Sequence, residues 1–468
     1  MSLTNKAKEL NIAYIGGGSR GWAWGFMMDL AMDEQLCGTV HLYDIDRDAA
    51  RRNQIIGGKI SAHPDASSRW TYTVADTLAE ALTGADFVVI SILPGTFDEM
   101  ASDVHLPERV GVWQPVGDTV GAGGFMRAMR TIPMYVEIAE AIRDHAPQAW
   151  VINYTNPMTL CVRTLYEVFP GVKAFGCCHE VFGTQKLLCD MIAEMLGVDG
   201  VDRHALNTTV IGINHFTWLT RASYQDVDLM PLYAAFAEKY ADGYDKGGDR
   251  NWMNSSFSSA EMVKFDLFRR YGAIAAAGDR HLAEFMAPVY TRDPETVSAW
   301  KFGLTSVDWR KDDLRKRMQR SDDLISGKET LTLKASGEEG HLLIKALLGL
   351  GTESPTGGLV SNVNMPNRGQ LPNLPLGAVV ETNALFGLDR IEPVYAGAIP
   401  GNLLPLIARH VYNQENTLRA ALTCDRKLGL TTFMNDPQMA HVSLADGKKL
   451  FDDMLENQRK YLPEKWFE

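Results

Sequence analysis

The sequence predicts an α/β protein: an N-terminal parallel sheet covered by helices on both faces, followed by a second α+β domain. Three observations lead there. A strand-like run, Asn11 to Ile15, passes through Gly16-Gly17-Gly18-Ser19-Arg20-Gly21 into an apolar helix, Trp22 to Met32. Further apolar runs, Phe87 to Ile92, Ala149 to Ile152 and Val172 to Phe175, have the unbroken hydrophobicity of strands buried on both faces. Beyond about Asp199 the strand–helix alternation fades into long helical patterns, such as Ser259 to Tyr271 and Leu403 to Ala421. The expected division is therefore 1–198 for the first domain and 199–468 for the second, the latter carrying substrate, metal and subunit contacts.

The first strand and its glycines carry the most local information. Gly16, Gly18 and Gly21 match G-x-G-x-x-G, in which the glycines allow a tight turn, close approach of backbone to a pyrophosphate, and packing of helix on strand. Ser19 lies within the same loop. The next strand, Thr39 to Tyr43, ends in Asp44-Ile45-Asp46. Asp44 or Asp46 can take the ribose hydroxyls and would disfavour a 2′-phosphate, so the loop predicts NAD over NADP in a Rossmann domain. Ile92, at the exit of the Phe87 strand, is expected beside the cofactor. The helix Val181 to Leu196 and one from Asn156-Pro157 through Tyr166 continue the alternation, whereas Gly357 to Gly377 is predicted irregular.

Length and composition limit the function classes. At 468 residues, with ~150 residues per domain, the chain holds two or three domains. Its 46% hydrophobic and 22% charged residues suit a globular protein with a large core. A net charge of −12 with no basic run argues against nucleic-acid binding, and means that an anionic substrate must be held by local positive charge. The polar Met1 to Leu10 segment and the lack of any ~20-residue apolar run predict no leader and no membrane span. Cysteines 37, 161, 177, 178, 189 and 424 show no disulfide rhythm, which fits a reduced, cytoplasmic protein.

Three polar islands follow strand-like runs: Asn153-Tyr154-Thr155-Asn156-Pro157, Gly176-Cys177-Cys178-His179-Glu180, and Gly212-Ile213-Asn214-His215 after Thr209-Val210-Ile211. Strand ends of an open α/β sheet converge on one crevice, so these islands are expected to share it. Cys178 and His215 form a thiolate–imidazole pair for Mn²⁺, Fe²⁺, Co²⁺ or Ni²⁺ with open coordination positions; the alternative is two hydrogen-bonded core residues. Gly117-Asp118-Thr119-Val120-Gly121-Ala122-Gly123-Gly124 feeds a helical segment, Phe125 to Arg143, and offers either a polar-ligand loop or a plain surface loop. Gly278-Asp279-Arg280-His281 brings an acid, a cation and a base together: Asp279 can abstract a proton and Arg280 can grip a carboxylate, or Asp279 can simply cap a helix.

With Gly16-Gly17-Gly18-Ser19, Asn153-Tyr154-Thr155-Asn156-Pro157-Met158, Cys178-His179-Glu180-Val181 and Gly212-Ile213-Asn214-His215 in order, the chain resembles glycoside hydrolase family 4, the NAD- and divalent-metal-dependent glycosidases. The resemblance extends through Asn362-Val363-Asn364-Met365-Pro366-Asn367 and Val379-Val380-Glu381. It implies a C-terminal domain like that of lactate and malate dehydrogenases and, from Cys178-His179-Glu180-Val181 with Asp279-Arg280-His281, the α-galacturonidase branch. The implied reaction is exo-hydrolysis of oligogalacturonides by C3 oxidation, C2 deprotonation, elimination, water addition and re-reduction. The implied cofactors are NAD and a divalent metal, Mn first. Cys178 and His215 match the metal ligands, Asn156 a substrate contact with Asn153 and His179 as neighbours, Asp279 the base and Asp118 a leaving-group assistant. Arg280 or Arg127 would bind the uronate, and the family habit implies a homodimer or homotetramer. The alternatives are another activity of the family (α-glucuronidase, α-glucosidase or α-galactosidase) and, from a different class, an NAD-dependent 2-hydroxy-acid dehydrogenase.

Overall fold

A computed structural model describes residues 8–245, 251–253, 255, 257–350 and 358–468. Its strands in chain order are β1 (Lys8–Ile15), β2 (Leu36–Tyr43), β3 (Trp70–Val74), β4 (Phe87–Ile90), β5 (Trp150–Asn153), β6 (Lys173–Gly176), β7 (Leu206–Ile213), β8 (Phe216–Tyr224), β9 (Val227–Asp228), β10 (Ile274–Ala275), β11 (Leu359–Pro366), β12 (Val379–Gly387) and β13 (Arg390–Pro393). Nine of them form one sheet in the order β13-β12-β11-β6-β5-β4-β1-β2-β3. From β3 to β6 neighbouring strands run parallel, in the doubly wound order whose direction reverses between β1 and β4. Crossover helices such as Trp22–Met32, Arg47–Ser61 and Met158–Val168 cover both faces.

The sequence explains this arrangement locally. All four residues of β4 are buried, with Val89 packed into the core on one side of the sheet and Val88 and Ile90 into the core on the other. This is why β4 reads as a continuous apolar run rather than an alternating one. At the end of β1, Gly16 has φ +93°, and a Cβ there would lie 2.0 Å from the carbonyl oxygen of Ser91. Only glycine makes that turn at that distance.

Strand β11 departs from the irregular structure expected for 357–377; residue 357 itself lies outside the described residues. Asparagines ordinarily disfavour strands, which disguised this one. Here Asn362 donates through Nδ2 to Glu381 Oε1 at 2.7 Å, and Asn364 sits opposite Gly176 of β6 and Glu381 of β12. The antiparallel strands β11, β12 and β13 thereby extend the N-terminal sheet with chain from beyond residue 199. A second sheet, β10-β8-β7 with β9 paired to β8, is tied to the first where the backbone N–H of Val210 donates to Asn383 Oδ1 at 2.8 Å. No helix among the described residues is long and apolar enough to cross a membrane.

Candidate active site

The polar islands do meet, though the group at their centre differs from the pair singled out by sequence. His215 sits in the tight β7–β8 turn with φ +60° and is 3% exposed. Holding a non-glycine residue there costs about 1–2 kcal/mol, and the conformation aims the imidazole inward. Ligand atoms of His215, Asp118 and His281 lie within 4.8 Å of one another, and the two imidazole rings stack with centroids 3.8 Å apart. Asp118 and Thr119 are presented by the loop before the helix Gly121–His145. That loop packs so tightly on the helix that a Cβ on Gly124 would lie 2.4 Å from the carbonyl carbon of Thr119. Thr119 Oγ1 donates to Asp118 Oδ1 at 2.7 Å and lies 2.9 Å from His215 Nδ1, while Asn156 Nδ2 donates to Asp118 Oδ2 at 3.3 Å.

His281 is held from behind. Its Nδ1 lies 3.3 Å from Glu180 Oε1, and Glu180 Oε2 accepts from the backbone N–H of Gly278. Nε2 is buried without a hydrogen-bond partner and lies 3.9 Å from Asp118 Oδ1. Burial works against charge on all these groups, but they offset one another. Burial favours a neutral Asp118, yet His281, His215 and Arg127 outweigh it and hold that carboxyl far below the usual range. Burial would likewise lower His281, and the Glu180 carboxylate raises it instead. His215 has burial and the neighbouring His281 charge against it and falls to about 3, so its imidazole is neutral at any physiological pH.

The other residues selected from sequence take distinct positions. Cys178 is buried, with its thiol against Asn214 and in the field of the Glu381 and Glu180 carboxylates; burial pushes it well above the ordinary thiol value. It is not a member of the Asp118–His215–His281 group. Asn153 is fully buried and spent internally, accepting from Tyr135 Oη at 2.5 Å and from the Thr155 N–H at 3.2 Å. Asn156 keeps a buried, unpartnered Oδ1 beside Asp118. His179 pairs through Nδ1 with Glu338 Oε1 at 2.9 Å and lies near the Trp22 ring, on the side of the glycine loop. Asp279 and Arg280 do not reach the centre by hydrogen bonds. Asp279 accepts from the backbone N–H groups of Val263 and Lys264, both at 3.1 Å, capping the helix Met262–Tyr271. Arg280 donates to the carbonyls of Pro115 and Gly303 and to Thr305 Oγ1.

At the other end of the crevice, Asp44 Oδ2 accepts from the N–H of Gly18 and Oδ1 from the N–H of Asp46, both at 2.8 Å. Asp46 in turn caps the helix Arg47–Ser61 through Ala49. The Ser19 N–H closes the loop on the Gly16 carbonyl at 3.0 Å, and a Cβ on Gly16 would lie 3.3 Å from the Ile92 side chain. A glycine cradle at the switch point, with acids at the end of β2, fits a dinucleotide. The neutral His215 imidazole, the Asp118 carboxylate and the orphaned Asn156 Oδ1 fit a divalent first-row cation, with the unpartnered His281 Nε2 beside them.

Sequence reasoning named His281 only as the base of its triplet, gave Glu180 no role, and read Glu284 as an exposed helix charge, whereas it is fully buried. Glu284, three residues along the helix from His281, accepts the N–H groups of Val116 and Gly117 at 2.7 Å each through Oε1 and so holds the loop bearing Asp118. Its Oε2 is buried without a partner, and burial raises its carboxyl to about 7. A carboxyl raised above its unfolded value stabilises the fold most below the unfolded pKa and loses that contribution as pH climbs through the folded one. We therefore expect stability against urea to fall by about 3 kcal/mol between pH 4.5 and 8 through this group, and Glu284→Gln to flatten that part of the profile. An unchanged profile would mean that Glu284 stays ionised.

A doubly wound nucleotide fold with a glycine loop at its switch point and a histidine–carboxylate centre built from later segments defines a dinucleotide-fold enzyme with a metal-competent site. Residues 11–194 match the family 4 glycosyl hydrolases and residues 210–439 match the family 4 glycosyl hydrolase C-terminal domain; the chain belongs to this family. It is 59% identical over 459 residues to the α-galacturonidase of Thermoanaerobacterium saccharolyticum, an alignment covering 98% of this chain and 97% of the relative. The crystal structure of lplD from Bacillus subtilis superposes with a TM-score of 0.90 at 51% identity, covering 95% of this chain and 99% of that one. A 6-phospho-α-glucosidase from gut microorganisms, solved with NAD and Mn²⁺, shares the fold at TM-score 0.80 and 20% identity, with 97% and 99% of the two chains covered.

Proposed function

We propose that this protein is an exo-acting α-galacturonidase that removes α-linked galacturonic acid from oligogalacturonides with NAD and a divalent cation, Mn²⁺ first. The observation that carries the reading is near-full-length similarity to α-galacturonidases, 59% identical in one case, joined to an Asp118–His215–His281 centre in which His215 is buried and the other two are half-buried. When bound, the dinucleotide supplies a hydride acceptor and the cation a Lewis acid, which together allow a C1–O bond to break by oxidation at C3 and elimination across C1–C2.

The chain's own groups divide the remaining work. Gly16, Gly18, Ser19 and Gly21 receive the pyrophosphate, Asp44 and Asp46 the ribose, and Ile92 the wall beside the nicotinamide. His215 and Asp118 would hold the cation, with Cys178, whose thiol lies against Asn214, as the thiol ligand that the sequence resemblance supplies. Asn156 orients a sugar hydroxyl through Oδ1. Because Glu180 fixes Nδ1 of His281, Nε2 is the atom that exchanges a proton with the sugar. Six free cysteines support a reducing, cytoplasmic setting, and a homodimer or homotetramer completes the reading.

The test is hydrolysis of digalacturonate by thiol-reduced protein, with and without NAD⁺ and Mn²⁺. Galacturonate release only with both, and no net NADH, is expected. Cleavage of neutral α-galactosides instead would replace the substrate, and stoichiometric NADH without bond cleavage would replace the reaction. Mn²⁺ titrations of Cys178→Ser and His215→Gln should both show weakened binding; loss in His215→Gln alone would remove the thiol from the ligand set.

A further inference from the structure

We propose that Arg310 is the cation that receives the carboxylate of the terminal sugar, an assignment that rests on the α-galacturonidase reading above. A chain of net charge −12 must bind an anion through a local cation. Most arginines around the crevice are already committed: Arg280 to Pro115, Gly303 and Thr305, Arg130 to the buried Asp103, and Arg317 to Asp313. Arg127 lies buried beneath the site and donates from Nε to the Asn156 carbonyl at 3.0 Å. Arg310 differs. It is half-buried, and its side chain has neither a hydrogen bond nor an ion pair among the described residues. Its guanidinium carbon lies over the Phe257 ring, 5.3 Å from the centroid, and that ring is also 5.4 Å from the guanidinium carbon of Arg280. It stands within the electrostatic field of Asp118 and of Asp313, the latter one turn along its own helix and itself paired with Arg317. Two guanidinium groups thus approach one aromatic ring, and of the two only that of Arg310 has no hydrogen-bond acceptor among the described residues, which leaves it available to an incoming anion.

The supporting helix is fixed at both ends. Ser306 caps Val307–Ser326, Lys311 pairs with Asp98 at 2.6 Å, and near the far end Lys59 donates to the carbonyls of Leu324 and Ile325 while Arg52 pairs with Asp322. Arg317, two turns or ~10.5 Å farther along the same face, donates to the Arg20 carbonyl at 3.4 Å, and its Nη1 lies 2.4 Å from where a Cβ on Gly21 would be. One helix face therefore runs from the glycine loop, with Arg317, to the neighbourhood of Asp118, with Arg310. A planar guanidinium anchored on an aromatic ring is suited to a two-point grip on a carboxylate.

The experiment titrates galacturonate, galactose and galactose 6-phosphate into protein carrying NAD and Mn²⁺, by calorimetry, for the wild type, Arg310→Gln and Arg310→Lys. Thermal unfolding and NAD affinity serve as folding controls. Wild-type protein is expected to prefer galacturonate, Arg310→Gln to lose about 100-fold of that affinity with galactose binding unchanged, and Arg310→Lys to fall between. An Arg310→Gln protein that still prefers galacturonate as the wild type does overturns the assignment. Wild-type preference for galactose 6-phosphate also overturns it, in favour of a phosphate subsite. A wild type with no preference for galacturonate over galactose fails the galacturonidase reading itself, and this is visible before any variant is compared.

Discussion

His281→Gln is expected to lower kcat/KM on an oligogalacturonide by about 10³, with little change in unfolding temperature. The imidazole is half-buried, its Nε2 is buried without a partner, and its ring stacks on His215 with centroids 3.8 Å apart; Gln fills much of that space and can still donate to Glu180, so the substitution removes chiefly the proton-exchanging atom. Glu180→Gln should cost about 10² by a different route. The Glu180 carboxylate raises His281 against the opposing effect of burial. Without that negative charge the imidazole titrates at lower pH, and the limb of the pH–rate profile that reports it should move down. Steady-state kinetics between pH 5 and 9 decide the matter. Retention of activity within threefold in His281→Gln would remove His281 from the chemistry.

The second large effect concerns Asp279. Its carboxylate is fully buried and caps two N–H groups of the helix Met262–Tyr271, next to the buried Lys264, whose Nζ also pairs with Glu261 at 2.5 Å. Deleting one member of such a group leaves a buried charge undercompensated, so Asp279→Ala should lose about 3 kcal/mol of stability. Asp279→Asn keeps one capping acceptor and should lose about 1 kcal/mol, with kcat reduced less than tenfold when assayed below its melting point. Urea unfolding together with kinetics on both variants is the measurement. A 10³-fold loss of kcat in a fully stable Asp279→Asn would instead restore Asp279 as the base that deprotonates the sugar.

The separation of roles along Asp279-Arg280-His281 shows why composition could not assign them. At 100° per residue, Asp279 and His281 stand about 200° apart around one short helix. The carboxylate faces the start of the helix Met262–Tyr271 and the imidazole faces Asp118. The triplet advertises acid, cation and base together, but the helix sends each to a different place. Sequence also could not foresee that Glu284 would fasten the Asp118 loop or that Glu180 would back His281, because those partners lie 168 and 101 positions away in the chain.

What the sequence by itself determined is the part written in local patterns. The apolar runs of β1, β4, β5 and β6 specify buried parallel strands. The glycines from 16 to 21 specify the turn into the helix Trp22–Met32, and the polar islands after successive strands specify where a site forms. These follow from backbone sterics and from the need to bury both faces of a parallel sheet, which act over a few residues. Tertiary structure decided which polar side chains meet. It folded β11 into the sheet despite its asparagines by giving them Glu381, engaged Asp279 with the start of the helix Met262–Tyr271, brought His281 to Asp118 and His215, and set Arg310 over an aromatic ring. Those outcomes depend on burial and charge compensation between segments far apart in sequence, which no local pattern records.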